Sequence, residues 1–151
     1  MAAPASCASG GPPQAWKREK EKVREPRPGL AWSGRRVATR AAYGVYMASP
    51  EWFRRRERWL EEYRSAREGA DPVCVVCGCE WTLRSGDLHH RSYRRLGWED
   101  WRDLMPLCRT HHHAMHALFE ADPAWRRLGR PQASDLIAAK LRDRYRRGAQ
   151  R

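Results

Sequence analysis

Between Ser49 and Gly69 the apolar positions return at helical spacing. Trp52, Phe53, Trp59, Leu60 and Tyr63 fall at i, i+1, i+7, i+8 and i+11 and predict one apolar stripe. Ser49 suits the N-cap, Pro50 the first helical position, and Glu51 the positive end of the helix. Gly69 is the expected C′ stop, and Asp71-Pro72 turns the chain. The aromatic stripe reads as core packing, in preference to a base-stacking platform, and order is expected to begin near Tyr43.

Downstream of "CVVCG" the pattern shortens. A hairpin is expected, with Ser85-Gly86-Asp87 as its turn and Leu88-His89-His90 on the outgoing strand. "RSYRRLGWEDWR" reads as a loop. "LMPLC" reads as a short strand, which Pro106 assigns to an edge. "THHHAMHALFE", Thr110 to Glu120, predicts a helix ended before Asp122-Pro123. A last helix is expected from Ser134, with Ile137, Leu141 and Tyr145 on its packing face and basic residues on much of the rest. Residues 1–36 combine Ala, Pro, Gly and Ser with the run "WKREKEKVREPRPG" and read as a disordered basic arm. The expected organisation is therefore an arm (1–36), a central α+β domain (37–121) and a basic C-terminal helix and tail (122–151).

Charge adds a partner to this outline. The 151 residues carry a net charge of +12. Of the 30 basic residues only Lys17, Lys20, Lys22 and Lys140 are lysines, leaving 26 arginines. Arginine's planar fork suits phosphate, so nucleic acid, and DNA first, is the expected partner. An arginine-rich soluble surface with no specific partner is the plain alternative. No apolar run approaches the ~20 residues of a membrane span. The first residues lack the basic and apolar regions of a secretory signal, so a cytoplasmic protein is expected. In that setting the five cysteines point to metal and not to disulfides.

Cys74 and Cys77 form one C-x-x-C; Cys108 and His111 form a C-x-x-H beyond residues 78–107. Two such knuckles suit tetrahedral Zn²⁺, which would supply folding free energy to a small core. Cys79 competes with His111 for the fourth place.

Four of the six histidines lie in "LCRTHHHAMH". On a helix His112 and His116 share a face and can meet one ion, whereas His113 is rotated about 100° away. The pair needs a third ligand, and "DLHH" offers one together with a spare imidazole. A metal with open positions beside an unbound histidine is equipment for hydrolysis. Chance neighbours on a strand and a satisfied core histidine are the bland readings of His89, His90 and His116.

Through "SPEW", "CVVCG", "LHHRSYRRLGWE", "DLMPLC" and "HHHAMH", roughly Tyr43 to Glu120, the chain resembles the HNH endonucleases, the zinc-knuckle branch of the ββα-metal (His-Me finger) nucleases. The resemblance implies a small ββα-metal finger with a structural zinc knuckle. It implies a catalytic divalent cation (Mg²⁺, Mn²⁺, Ni²⁺ or Zn²⁺) on His89, His112 and His116, with His90 as the general base. Asp103 stands where the family's name-giving Asn braces the loop, and His111 stands where many relatives have cysteine. Arg91, Arg94, Arg95 and Arg109 are close enough in sequence to clamp flanking phosphates. The implied activity is hydrolysis of DNA phosphodiester bonds to 5′-phosphate and 3′-hydroxyl ends, in a stand-alone, restriction or phage-packaging setting. The competing expectations are a zinc-knuckle nucleic-acid-binding protein without catalysis and an RNase or toxin domain.

Overall fold

The computed structural model describes residues 40–150. The expected arm, residues 1–36, lies outside the described residues. The elements run α1 (Arg40–Met47), α2 (Pro50–Ala66), β1 (Gly86–His90), a 3₁₀ turn (Trp101–Asp103), β2 (Leu104–Cys108), α3 (Arg109–Ala121), α4 (Ala124–Arg127) and α5 (Arg130–Ala149). Among the described residues the architecture is α+β: helices around one two-stranded antiparallel sheet.

Helix α2 starts as its local chemistry dictates. Ser49 is the N-cap, its hydroxyl accepting from the Trp52 amide, and Pro50 opens the helix. At the other end Glu68 takes the left-handed position at φ 55°, and Gly69, one residue later than expected, donates its amide to the Arg64 carbonyl. The buried stripe also differs. Phe53 is 38% exposed, and Arg55, at 2%, occupies the inward position between Trp52 and Trp59. The spacing i, i+3, i+7 selects Arg55 over Phe53 because 3.6 residues complete a turn. The arginine is tolerated because it donates to the Glu99 carbonyl and pairs with Glu62.

The expected hairpin does not form. Gly86 and Asp87 belong to β1 itself, and the turn is Thr82–Ser85, where the Gly86 amide donates to the Thr82 carbonyl. Strand β1 pairs instead with β2, His90 opposite Leu104 and Gly86 opposite Cys108. Gly86 is required there because a Cβ would lie 2.1 Å from the buried Trp81 indole. Pro106 sits in a two-stranded sheet, where every strand is an edge.

Alternation along the paired strands divides the core. Leu88 and Leu104 face one side and pack with Trp52, Trp59 and Trp81. Met105 and Leu107 face the other and pack with Met115, Ile137 and Leu141. Helix α5 therefore shares the central domain's core and is not a separate tail. It begins at Arg130 after Gly129 (φ 77°), four residues before Ser134, which is buried inside it and caps nothing.

Candidate metal centres

The first cluster gathers from three local pieces: the C-x-x-C turn, the end of β2 and the first turn of α3. Donor atoms of Cys74, Cys77, Cys108 and His111 all lie within 4.8 Å of one another. His111 Nδ1 is 3.1 Å from Cys108 Sγ and 3.7 Å from Cys74 Sγ. Zn–S and Zn–N bonds of about 2.3 and 2.0 Å in a tetrahedron set donor–donor edges of about 3.5–3.8 Å, so this donor set could hold a metal such as zinc. His111 completes the set; Cys79 stands outside it and accepts the Cys74 amide on its carbonyl. Burial, then the neighbouring Cys74 and Cys77, push the Cys108 thiol up to about 12. Crowded sulfurs that resist ionising together are what a divalent cation relieves.

The second cluster is built across elements. His89 on β1 and His112 and His116 on α3 bring three ring nitrogens within 4.8 Å of one another, a second group able to hold an ion. His112 Nε2 and His116 Nε2 approach to 3.2 Å. His89 shares a hydrogen bond with Ser134 Oγ through Nε2 at 3.0 Å, while its Nδ1 is buried without a partner. His112 Nδ1 lies 3.2 Å from Asp87 Oδ2, the outer-shell carboxylate that orients many ligating imidazoles. Burial, then the Arg130 charge and the neighbouring His116 and His112, lower His89 to about 2; burial and His112 lower His116 to about 4. Both rings are therefore neutral near pH 7, with lone pairs available. His113 is exposed, off this face as its rotation requires.

His90 goes elsewhere. It is adjacent to His89 and so projects from the opposite face of β1, into the aromatic half of the core. Its ring stacks on Trp52 at 4.9 Å, meets Tyr43 and Tyr93 edge-on or tilted, and is 1% exposed. Nε2 lies 3.2 Å from Glu99 Oε1; Nδ1 is buried without a partner. In this conformation the ring is enclosed, away from solvent. Burial raises the Glu99 carboxyl, but hydrogen bonds from His90 and the Gly97 amide outweigh it and hold it below the usual range.

The loop between the strands is braced at Asp103, whose Oδ2 accepts from the Asp100 amide and from Arg95. The four expected phosphate-clamping arginines separate. Arg91 is paired with Asp135 and Arg95 with Asp103, so neither is uncommitted. Arg109 is 3.9 Å from Asp87, and Arg94 is exposed. The sequence reading missed Glu99, Asp87, Ser134 and Arg130. Arg130 donates from Nε to the His90 carbonyl, and its guanidinium lies 4.2 Å from the Tyr93 ring and 4.9 Å from the Phe119 ring. Ser134 and Arg130 reach the site from a distant segment, while Asp87 and Glu99 lie close to the histidines in sequence but at spacings that mark no ligand pair.

A closed four-donor cluster and an open three-histidine cluster thus flank α3, and comparison with family models, curated proteins and solved structures gives no match to this chain.

Proposed function

We propose that the chain is a metal-dependent endonuclease of the HNH type, hydrolysing phosphodiester bonds of DNA. The single observation that carries this reading is the convergence of His89, His112 and His116, with the Nδ1 atom of His89 buried and unpartnered. Three protein ligands leave coordination positions open, the pattern of catalytic and not structural sites. A bound divalent cation would supply Lewis acidity for the phosphate oxygens. The chain's own residues do the rest. Asp87 orients His112, Ser134 holds His89, and Arg94, Arg109 and the excess of basic charge draw the polyanion in. Zinc on Cys74, Cys77, Cys108 and His111 would fix the start of α3, and with it the spacing of His112 and His116.

His90 is the proposed general base, with Glu99 holding Nε2–H and leaving the Nδ1 lone pair to accept a proton from water. Its enclosure by Tyr43, Trp52 and Tyr93 means that one of these rings must give way for water to enter. The same enclosure favours a second reading, a zinc-knuckle nucleic-acid-binding protein in which His90 and Glu99 form a buried structural pair. Plasmid nicking across Mg²⁺, Mn²⁺, Ni²⁺ and Zn²⁺ separates the two. Cleavage by the parent that is lost in His116→Ala supports the nuclease; intact DNA with every ion leaves the binding protein.

A further inference from the structure

Beyond both metal clusters, an open groove of about 340 Å³ runs along the outer edge of β2. Leu104, Met105, Pro106 and Val75 give it an apolar floor, and none of its lining residues belongs to either cysteine–histidine cluster. Tyr63 and Trp101 form an aromatic wall, their rings perpendicular at 6.5 Å between centroids. Each is covered by an arginine at the rim. The Arg67 guanidinium carbon lies 5.7 Å from the Tyr63 ring centroid, and that of Arg102 lies 5.2 Å from Trp101. Arg91 lines the same groove and donates to the Arg102 carbonyl; the one acidic lining residue, Asp135, is paired with it.

We infer that this groove binds an unpaired nucleobase of a single-stranded nucleic acid, with Arg67 and Arg102 engaging the phosphates on either side. The chemistry suits that class. Aromatic rings beside an apolar floor offer stacking, which every base accepts, and the guanidinium rim offers charge to a backbone. Both rim arginines are exposed, and the contact of each side chain among the described residues is cation–π, so they can turn from ring to phosphate at small cost. The preceding part of this chain is a poor occupant, since residues 1–39 carry eight basic against three acidic side chains and would meet a basic rim. The wall is anchored from behind, Trp59 Nε1 donating to the Trp101 carbonyl at 3.0 Å.

The test uses the full zinc-loaded chain without added activating ion, and reads binding alone. A labelled oligothymidylate of about twelve nucleotides and a duplex of equal length are compared by fluorescence anisotropy. The groove variant is Arg67→Glu with Arg102→Glu; the control is Arg144→Glu with Arg146→Glu on the exposed part of α5, which changes net charge equally. The groove variant is expected to lose about ten- to a hundredfold in single-strand affinity, well beyond the control, with duplex binding falling alike in both. Photo-crosslinking of a bromouracil oligonucleotide to the parent is expected to map to Tyr63 or Trp101. Equal losses in both variants, or crosslinks confined to other residues, overturn the inference. So does preferential capture of an acidic aromatic peptide by the groove. Since no cleavage is measured, a failure here leaves the nuclease proposal untouched, and absence of cleavage leaves the groove untouched.

Discussion

His89 and His90, adjacent in the chain, lie on opposite faces of one strand and in opposite halves of the core: His89 meets Ser134 on α5, and His90 meets Glu99 in the loop. The pleat of β1 enforces the division, and it gives the two imidazoles different consequences on substitution.

Replacing His89, His112 or His116 should weaken the proposed second ion and spare the zinc. His116→Ala is expected to lower plasmid cleavage by more than tenfold at limiting metal and to recover part of it as the ion is raised. His113→Ala, exposed on the other side of α3, should cut like the parent. A metal titration of nicking rates checks this; a His116→Ala defect insensitive to metal would count against the ligand role.

His90→Ala leaves the Glu99 carboxylate buried with one donor fewer, which should cost about 2–3 kcal/mol of stability by chemical denaturation. His90→Gln, which can still donate to Glu99, should fold better while cleavage falls by roughly 10²–10⁴. If His90→Gln cuts at the parental rate, the general base is another group.

Cys74→Ser should abolish zinc retention and cooperative folding, because the proposed structural ion would supply folding free energy that the small core lacks. Cys79→Ser should keep its zinc, since Cys79 is outside the four-donor set. Metal content per chain, measured together with circular dichroism, decides both.

Gly86→Ala should destabilise by about 1–3 kcal/mol. The new Cβ meets the Trp81 indole at 2.1 Å, and the ring cannot step aside without losing the bond from its Nε1 to the Asp87 carbonyl. Thermal melts of the variant test this; an unchanged melting temperature would show that Trp81 moves freely.

Glu99 also sets an acid limit on stability. Burial raises its pKa, but the hydrogen bonds it accepts leave it lowered in the folded state. Its contribution is therefore fully present above the unfolded carboxyl value and is lost as pH falls through the folded one. Glu99→Gln should flatten the acid side of the stability–pH curve; an unchanged slope would place the acid-sensitive group elsewhere.

What the sequence determined alone was whatever a few neighbouring residues decide. Ser49 and Pro50 start α2 because capping is satisfied within one turn. Cys74 with Cys77 and Cys108 with His111 declare a cluster able to hold a metal because each pair is fixed by its own turn, and His112 with His116 share a face because four residues return to it. The fold class and the strands around His89 and Pro106 were legible for the same reason. Tertiary structure alone decided the partner of β1, which is β2 and not a hairpin neighbour, since pairing depends on which faces can be buried. It sent His90 to the side away from His89, buried Arg55 in place of Phe53, and made Ser134 a contact of His89 instead of a helix start. Glu99 and Arg130 reached the histidines for the same cause: desolvated imidazoles and carbonyls must be satisfied by whatever polar group packing brings near, and that group leaves no mark at fixed spacing in the chain.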